Sequence, residues 1–142
     1  MAGMMPRQRV LHECEQRGKP QFVAGCVALL GGGEADDGLI VVLGGEAAGY
    51  VLAGADGGPH GYWPRVWAAR GLLHAWDDQA TAAIIAATDD DAWRVREMAA
   101  KVVARHRIGD ALPAVTALRD DPVPRVRAAA GRAVTAITAG AA

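Results

Sequence analysis

One short pattern recurs along the chain: an arginine, a valine, and then a tryptophan or a second arginine. It occurs three times, as Arg65-Val66-Trp67, Arg94-Val95-Arg96 and Arg125-Val126-Arg127. The last two copies are 31 residues apart, and each lies between an Asp-rich turn and an Ala-rich segment. Recurrence at such a period is typical of repeat proteins, in which each helical hairpin buries its apolar side only against its neighbours. We therefore predict an all-α fold, a short right-handed α-solenoid (an α-α superhelix) of stacked helical hairpins.

The second copy gives the clearest helix signals. Asp90 or Asp91 is predicted to cap a helix. The apolar side of that helix has the i, i+3, i+4, i+7 spacing of an amphipathic helix, and it consists of Val95, Met98, Ala99, Val102 and His106. Gly109 is predicted to end the helix, and Asp110 to cap a shorter one over Ala111 to Leu118.

The first copy predicts the same pair of helices, and the third predicts one long helix. After the turn Asp120-Asp121-Pro122, a helix is predicted whose apolar side consists of Val126, Ala129, Ala130, Ala133, Val134 and Ile137. The first copy predicts a helix from Trp63 to Trp76 and a short helix from Gln79 to Ala87. We expect the last helix to leave its apolar side half open, which favours a partner or a dimer there.

The pattern weakens before residue 62. Glycine-rich breaks separate four predicted helices, which are Pro6 to Arg17, Pro20 to Leu30, Asp37 to Leu43 and Glu46 to Ala53. Leu39 to Leu43 also fits a strand, but no partner strand is visible, so we prefer a helix. We expect a single domain over residues 1–142, with clear repeats over about 62–138 and divergent capping hairpins over 1–61.

The combination of an Asp-rich turn, Arg-Val-Arg, small residues and a short second helix resembles the HEAT-like repeat of the phycobilisome-lyase type. The resemblance covers roughly residues 62 to 138. It implies an α-solenoid. Related repeats serve as protein-docking scaffolds, as bilin lyase subunits and, in a diverged branch, as alkylated-DNA glycosylases, so the resemblance implies no single function.

Charge is balanced overall but uneven along the chain. The 142 residues carry a net charge of -1 and a pI near 6.4. This argues against a dedicated nucleic-acid coat or an anionic-membrane binder, because both need a basic excess. Residues 34–91 sum to -8, whereas residues 92–142 sum to +5. Such a distribution favours contact with a second copy or with an acidic partner.

The sequence predicts no catalytic residue, cofactor or metal. It has no GxxxxGK[ST], GxSxG or HExxH motif. Cys14 and Cys26 show no paired spacing, which is typical of reduced thiols in a cytosolic protein. His12 with the two cysteines, and His74 with His106, lack the spacing of a metal motif. No signal peptide or membrane span is apparent, so we expect a soluble, cytoplasmic protein.

The arginines that flank the valines are predicted to form two rows on stacked helices. One row holds Trp67, Arg96 and Arg127, which can grip carboxylates or phosphates. In the alternative that we favour, each arginine pairs with an aspartate of its own or the next turn, because unpaired buried charge is costly. Arg70 lies near the buried side of its helix. We expect a rotated apolar side that frees it for solvent, or else a carboxylate such as Glu46 or Asp78 beside it.

Five of the seven aromatic residues crowd into residues 62–93. Such rings are typical of interaction hot spots or of stacking on bases, and they also pack cores. The candidate partner-binding residues are Tyr62, Trp63, Trp67, Trp93, Arg96 and Arg127. The longest loop, Gly54 to Gly61 with Asp56 and His60, is another place for a site.

Three functions compete. The first is a non-catalytic module that binds a protein and can form a homodimer through its C-terminal helix. The second is nucleic-acid binding or alkylated-base repair, which the acidic middle and the few lysines make less favoured. The third is a bilin lyase-like subunit, which the resemblance alone implies. We expect a protein partner and no membrane contact.

Overall fold

The computed structural model describes residues 4–34 and 36–139, and every regular element within these ranges is a helix. The predicted all-α fold is therefore confirmed, and Leu39 to Leu43 form a helix rather than a strand. The chain divides into two compact units, residues 1–80 (unit 1) and residues 81–142 (unit 2). None of the described helices is long and apolar enough to cross a membrane.

Within residues 4–34 and 36–80, unit 1 contains five α-helices, which closely follow the predicted ones. They are α1 (Pro6–Arg17), α2 (Lys19–Leu30), α3 (Asp37–Gly44), α4 (Ala48–Leu52) and α5 (Tyr62–His74). Short 3-10 segments occupy Gly45–Ala47, Ala55–His60 and Asp78–Ala80. α1 and α2 are joined by Gly18, whose φ of 94° suits a residue without a side chain.

The core of unit 1 forms where α5 packs against α2, α3 and α1. Two glycines allow these helices to approach closely. A Cβ at Gly71 would lie 2.8 Å from Cδ2 of Leu43 and 3.1 Å from Cζ of Phe22. A Cβ at Gly44 would lie 2.5 Å from the ring of Trp67. Close packing in this unit therefore depends on glycines beneath large side chains.

Unit 2 contains four α-helices within its described residues. They are α6 (Thr81–Ala87), α7 (Trp93–His106), α8 (Leu112–Ala117) and α9 (Pro124–Ala139). Short 3-10 segments occupy Gly109–Ala111 and Leu118–Asp120. α7 and α9 pack along each other, while α8 packs on α9 and α6 on α7. The fully buried residues of this core are small or β-branched, and they include Val95, Ala99, Val102, Val126, Ala130 and Ala133.

The ends of the unit 2 helices differ from the predicted ones. Asp90 does not cap α7 directly, because the N-cap is Ala92 and the Asp90 carboxylate accepts the Ala92 N–H at 2.9 Å. α7 ends at Arg107, which is left-handed with a φ of 49°, rather than at Gly109. Asp110 lies in the 3-10 segment and caps no helix.

The last helix is more covered than the sequence predicts. Val126, Ala130 and Ala133 are fully buried against α7 and α8, so the expectation of a half-open side is wrong for them. Val134 and Ile137 remain half-buried. The open part of α9 is therefore its C-terminal end alone.

The repeat is also visible in the hydrogen bonds of unit 2. The Asp90 carboxylate accepts from the Ala92 N–H, and the Asp121 carboxylate from the Val123 N–H, both at 2.9 Å. The next contacts match as well, since Nη1 of Arg96 donates to the Asp90 carbonyl and Nη1 of Arg127 to the Asp121 carbonyl, both at 2.8 Å. The 31-residue period of the sequence therefore corresponds to one repeated turn-and-helix structure.

Candidate functional site

Unit 1 has an open cleft of about 390 Å³ that is rich in aromatic rings. We call it the aromatic cleft, and its lining residues are Ala47, Tyr50, Val51, Ala55, Asp56, Trp63 and Trp67. Tyr50 comes from α4, and Trp63 and Trp67 lie one turn apart on α5. Its volume is within the range of small ligand sites, so it can accept one large side chain.

The rings differ greatly in exposure. Trp67 is 5% exposed and forms the floor of the cleft, with its ring against Gly44. Tyr50 is 74% exposed and forms part of the rim. The ring centroids of Trp63 and Trp67 are 6.5 Å apart with planes at 27°, and Tyr62 lies 5.0 Å from Trp63. The cleft therefore combines a fixed aromatic floor with an aromatic edge in solvent.

Asp56 is an acidic lining residue of the cleft and lies on a strained loop. Its φ is 52°, in the left-handed region, and Gly57 and Gly58 follow with φ of 88° and 69°. A side chain at Gly61 would collide with the Asp56 carbonyl, so the loop folds tightly back on itself. Left-handed backbone in a non-glycine residue is unfavourable and persists where the surroundings hold it, often at functional sites.

The chain segment that supplies most of the cleft lining is acidic. Residues 34–64, which supply most of the lining, hold five carboxylates and no lysine or arginine. The first cation along the chain after this segment is Arg65, whose Nη1 donates to the Gly61 carbonyl at 3.2 Å. An exposed cleft in such surroundings attracts cations.

Two arginines fix the helix that lies beneath the floor. Arg9 is 7% exposed, and it donates to the carbonyls of Val42 (2.8 Å), Leu43 (3.4 Å) and Met4 (2.6 Å). Arg70 donates to the same Leu43 carbonyl at 2.6 Å. The carbonyls at a helix C-terminus carry partial negative charge, which stabilises these cations. We call Arg9 and Arg70 the arginine clamp.

The observed contact of Arg70 differs from both contacts that the sequence predicted. Its side chain is neither turned to solvent nor paired with Glu46 or Asp78, but half-buried against a backbone carbonyl. Burial lowers the pKa of Arg70, and the nearby charge of Arg9 lowers it further. Because the clamp holds the end of α3, it also positions Gly44 under the ring of Trp67.

In unit 2, Arg96 and Arg127 are held by the turn at Asp121. Nε of Arg96 lies 2.8 Å from Oδ2 of Asp121, and its Nη2 lies 3.3 Å from Oδ1. Burial raises the pKa of the Asp121 carboxyl, but the hydrogen bonds from Arg96 and the Val123 N–H outweigh it, and the pKa is lowered. For Arg96 this geometry agrees with the alternative in which the arginine pairs with an aspartate of the next turn, whereas Arg127 is exposed and donates to the Asp121 backbone carbonyl.

A second charged cluster in unit 2 surrounds Trp93. The guanidinium carbons of Arg94 and Arg125 lie 4.4 Å and 5.4 Å from the ring centroid. Nε of Arg125 is 2.9 Å from the buried carboxylate of Glu97, which also lies 3.9 Å from Nζ of Lys101. The Trp93 ring is therefore covered on this side by arginines of its own unit.

The structure groups the predicted partner-binding residues by unit. Trp63 and Trp67 line the aromatic cleft, and Tyr62 lies next to Trp63. Trp93 contacts Arg94 and Arg125, while Arg96 and Arg127 meet at Asp121. Sequence reasoning missed Tyr50, although it is the only aromatic residue between Phe22 and Tyr62, and an isolated aromatic in an Ala- and Gly-rich segment is a usable signal.

Burial disfavours the ionised form of both thiols. Burial raises the pKa of Cys14 and, more strongly, that of Cys26. A protonated thiol is a poor nucleophile and a poor metal ligand. Among residues 4–34 and 36–139, no group of three or more His, Cys, Asp or Glu side chains is placed to hold a metal ion.

Comparison with known proteins agrees with this geometry. The helical hairpins and the repeated turn define an all-α repeat protein with an aromatic cleft. The sequence model for HEAT repeats matches residues 62–135, a little over half of the chain. The chain therefore belongs to the HEAT repeat family. No curated protein and no solved structure matches it significantly.

Proposed function

We propose that this HEAT-repeat chain is a non-catalytic protein interaction module, and that the aromatic cleft receives a side chain of its protein partner. HEAT repeats commonly serve as protein interaction scaffolds. One observation carries the proposal: an exposed tyrosine and two tryptophans line a single open cleft of about 390 Å³. Aromatic residues in well-packed pockets dominate the binding energy of many protein interfaces.

Of the predicted partner-binding residues, the proposal places those of unit 1 in or next to the binding cleft. Trp63 and Trp67 line the cleft, and the ring of Tyr62 lies tilted beside that of Trp63. In unit 2, the donors of Arg96 are occupied by the Asp121 carboxylate and two backbone carbonyls. A guanidinium already bound in this way gains little from a partner's carboxylate or phosphate. Support for binding is therefore stronger at the cleft.

Photo-crosslinking in the native cell tests the proposal. A benzophenone amino acid replaces Tyr50 at the rim, and a matched variant carries it at Leu11, which is 38% exposed on α1 and does not line the cleft. We expect a defined polypeptide to be crosslinked from position 50 only, and to be lost when Trp63→Ala is added. Identical products from both positions, or none from position 50, would contradict the proposal.

Self-association through the last helix is a second candidate. It is supported by Val134 and Ile137, which remain half-buried at the C-terminal end of α9. Light scattering across a concentration series tests it with Ile137→Glu. A dimer that dissociates in this variant supports self-association, and a wild-type monomer at all concentrations excludes it.

We do not extend the proposal to the phycobilisome-lyase subtype or to base repair. Attachment of a bilin to a protein thiol needs an activated nucleophile, whereas burial raises the pKa of both thiols in this chain. In the basic C-terminal third, Arg96 and Arg125 are engaged by Asp121 and Glu97. These contacts lend no support to phosphate binding by that region.

A further inference from the structure

We infer that the aromatic cleft binds a cation, namely a lysine or arginine side chain from a basic segment of the partner protein. This inference rests on the proposed function and specifies the chemistry of the occupant. It follows from three features of unit 1: the rings of the cleft, the acidic residue Asp56 in its lining, and the four further carboxylates of residues 34–64.

The rings favour a cation over an apolar side chain. Tyr50, Trp63 and Trp67 line the same cleft, and indole is the aromatic side chain that attracts cations most strongly. Trp67 is almost fully buried, so its ring lies in a region of low dielectric. Attraction between a cation and a ring increases when water is excluded from the pair. A lysine stem can pack along the rings with its ammonium group at the rim.

Asp56 supplies the counter-charge. Asp56 is an exposed lining residue, and Gly57 and Gly58 continue its left-handed backbone. A purely apolar occupant would remove water from this carboxylate without replacing the lost hydrogen bonds, which is unfavourable. An ammonium or guanidinium group would replace them by a charge-assisted hydrogen bond. The lining therefore discriminates in favour of a positive side chain.

The surrounding chain strengthens this preference. Residues 34–64 carry five carboxylates and no lysine or arginine. Such a field accelerates encounter with a basic segment and repels an acidic one, and salt screens both effects. We therefore expect the partner to present several basic residues, one of which enters the cleft.

The four tryptophan indole signals in a ¹⁵N–¹H correlation spectrum provide a direct test. They are assigned by single Trp→Phe substitutions. The probes are a lysine hexapeptide and the same peptide with every side chain acetylated, which removes the charge while keeping the stem. We expect the lysine peptide to shift the signals of Trp63 and Trp67 and to leave those of Trp76 and Trp93 in place. The acetylated peptide should bind at least tenfold more weakly.

Two matched variants test the counter-charge. Asp56→Asn removes the charge but tolerates the left-handed backbone, and it should weaken binding of the lysine peptide about fivefold. Glu15→Gln removes an exposed carboxylate on α1 and should leave binding unchanged. Unchanged spectra of the free variants establish that both are folded.

The outcomes separate the two proposals. If both peptides bind equally at the cleft and Asp56→Asn has no effect, the charge inference is wrong, while the cleft still serves as a binding site. The inference is also wrong if the lysine peptide shifts only Trp76 or Trp93. If neither peptide, up to millimolar concentration, shifts Trp63 or Trp67, and crosslinking from position 50 also captures nothing, both proposals fail.

Discussion

The long helices of unit 2 pack through valine and alanine, whereas in unit 1 glycines lie beneath large rings. In unit 2 the same hydrogen bonds recur from one turn to the next, as at Asp90 and Asp121. In unit 1 the helix end at Gly44 is fixed by two arginines and covered by Trp67. In unit 2 the small side chains of the repeats pack closely enough to fill the space between the helices. In unit 1 large aromatic rings lie over glycines instead, and the open cleft lies among those rings.

The two units also differ in the acceptors that bind their partly or fully buried arginines. Arg96 in unit 2 is paired with the carboxylate of Asp121. Arg9 in unit 1 is held by three backbone carbonyls. A carboxylate titrates in acid and a carbonyl does not, so the two contacts should respond differently to pH.

The largest effect is expected for Asp121→Ala. It leaves Arg96 without its carboxylate and the Val123 N–H without its acceptor, and should destabilise the protein by about 3 kcal/mol. Urea denaturation measures this change, with the exposed neighbour Asp120→Ala as the control. A loss below about 0.5 kcal/mol would show that the pair is not a structural contact.

The same contact predicts a dependence on pH. Since folding lowers the pKa of Asp121, its contribution is fully present above the unfolded pKa of about 4 and is lost as pH falls through the lower, folded value. The difference in unfolding free energy between wild type and Asp121→Asn should therefore shrink in strong acid. A constant difference from neutral pH to strong acid would contradict this assignment.

Arg9→Met should have the next largest effect. It leaves the Val42 carbonyl without a charged donor and leaves the Leu43 carbonyl with Arg70 alone, so we expect a loss of about 2 kcal/mol that does not depend on acid titration. Hydrogen exchange should show the increase in opening at α3. Arg7→Met, an exposed change on the same helix, serves as the control. Equal unfolding free energies and equal hydrogen exchange at α3 in the two variants would show that Arg9 does not stabilise the end of that helix.

Alanine substitution at glycine should distinguish the packing of the two units. At Gly71 in α5 the new Cβ would overlap Leu43, and we expect a loss of about 1 to 3 kcal/mol. At Gly131 in α9 no atom lies within 4 Å of the new Cβ, and better helix propensity should stabilise the protein by about 0.5 to 1 kcal/mol. Thermal or urea unfolding of both variants shows whether each substitution stabilises or destabilises the protein. A gain at Gly71 would show that α5 does not depend on close approach.

The smallest predicted effect is a gain at Arg107. This residue ends α7 with a φ of 49°, a conformation that glycine adopts without strain. Arg107→Gly should stabilise the protein by about 0.5 kcal/mol, after allowing for the greater freedom of glycine in the unfolded chain. Arg105→Gly, inside the same helix, should instead destabilise by about 1 kcal/mol. Destabilisation in both variants would show that the left-handed end of α7 is not strained.

The sequence predicts the helices well, because their signals are local. The prediction of Pro6 to Arg17 matches α1 residue for residue, and Leu39 to Leu43 form part of α3 as preferred. The ends of helices were less predictable. Arg107 rather than Gly109 follows the last residue of α7, in a left-handed conformation that the residue type alone disfavours.

The candidate site was only partly predictable. The crowding of Trp63 and Trp67 indicated it, and the loop with Asp56 was recognised as a place for a site. Tyr50 was missed because its contribution depends on where α4 packs. The partner of Arg70 was also missed, since a helix-end carbonyl distant in sequence carries no residue-type signal.

The affinities of two matched tryptophan variants for the lysine hexapeptide test most directly whether unit 1 carries the binding site. Trp63 in unit 1 and Trp93 in unit 2 each lie in the first turn of a long helix and are half-buried. Calorimetric titration with the lysine hexapeptide should show binding about tenfold weaker in Trp63→Ala and within twofold of wild type in Trp93→Ala. Weakened binding in Trp93→Ala with Trp63→Ala unchanged would contradict the account.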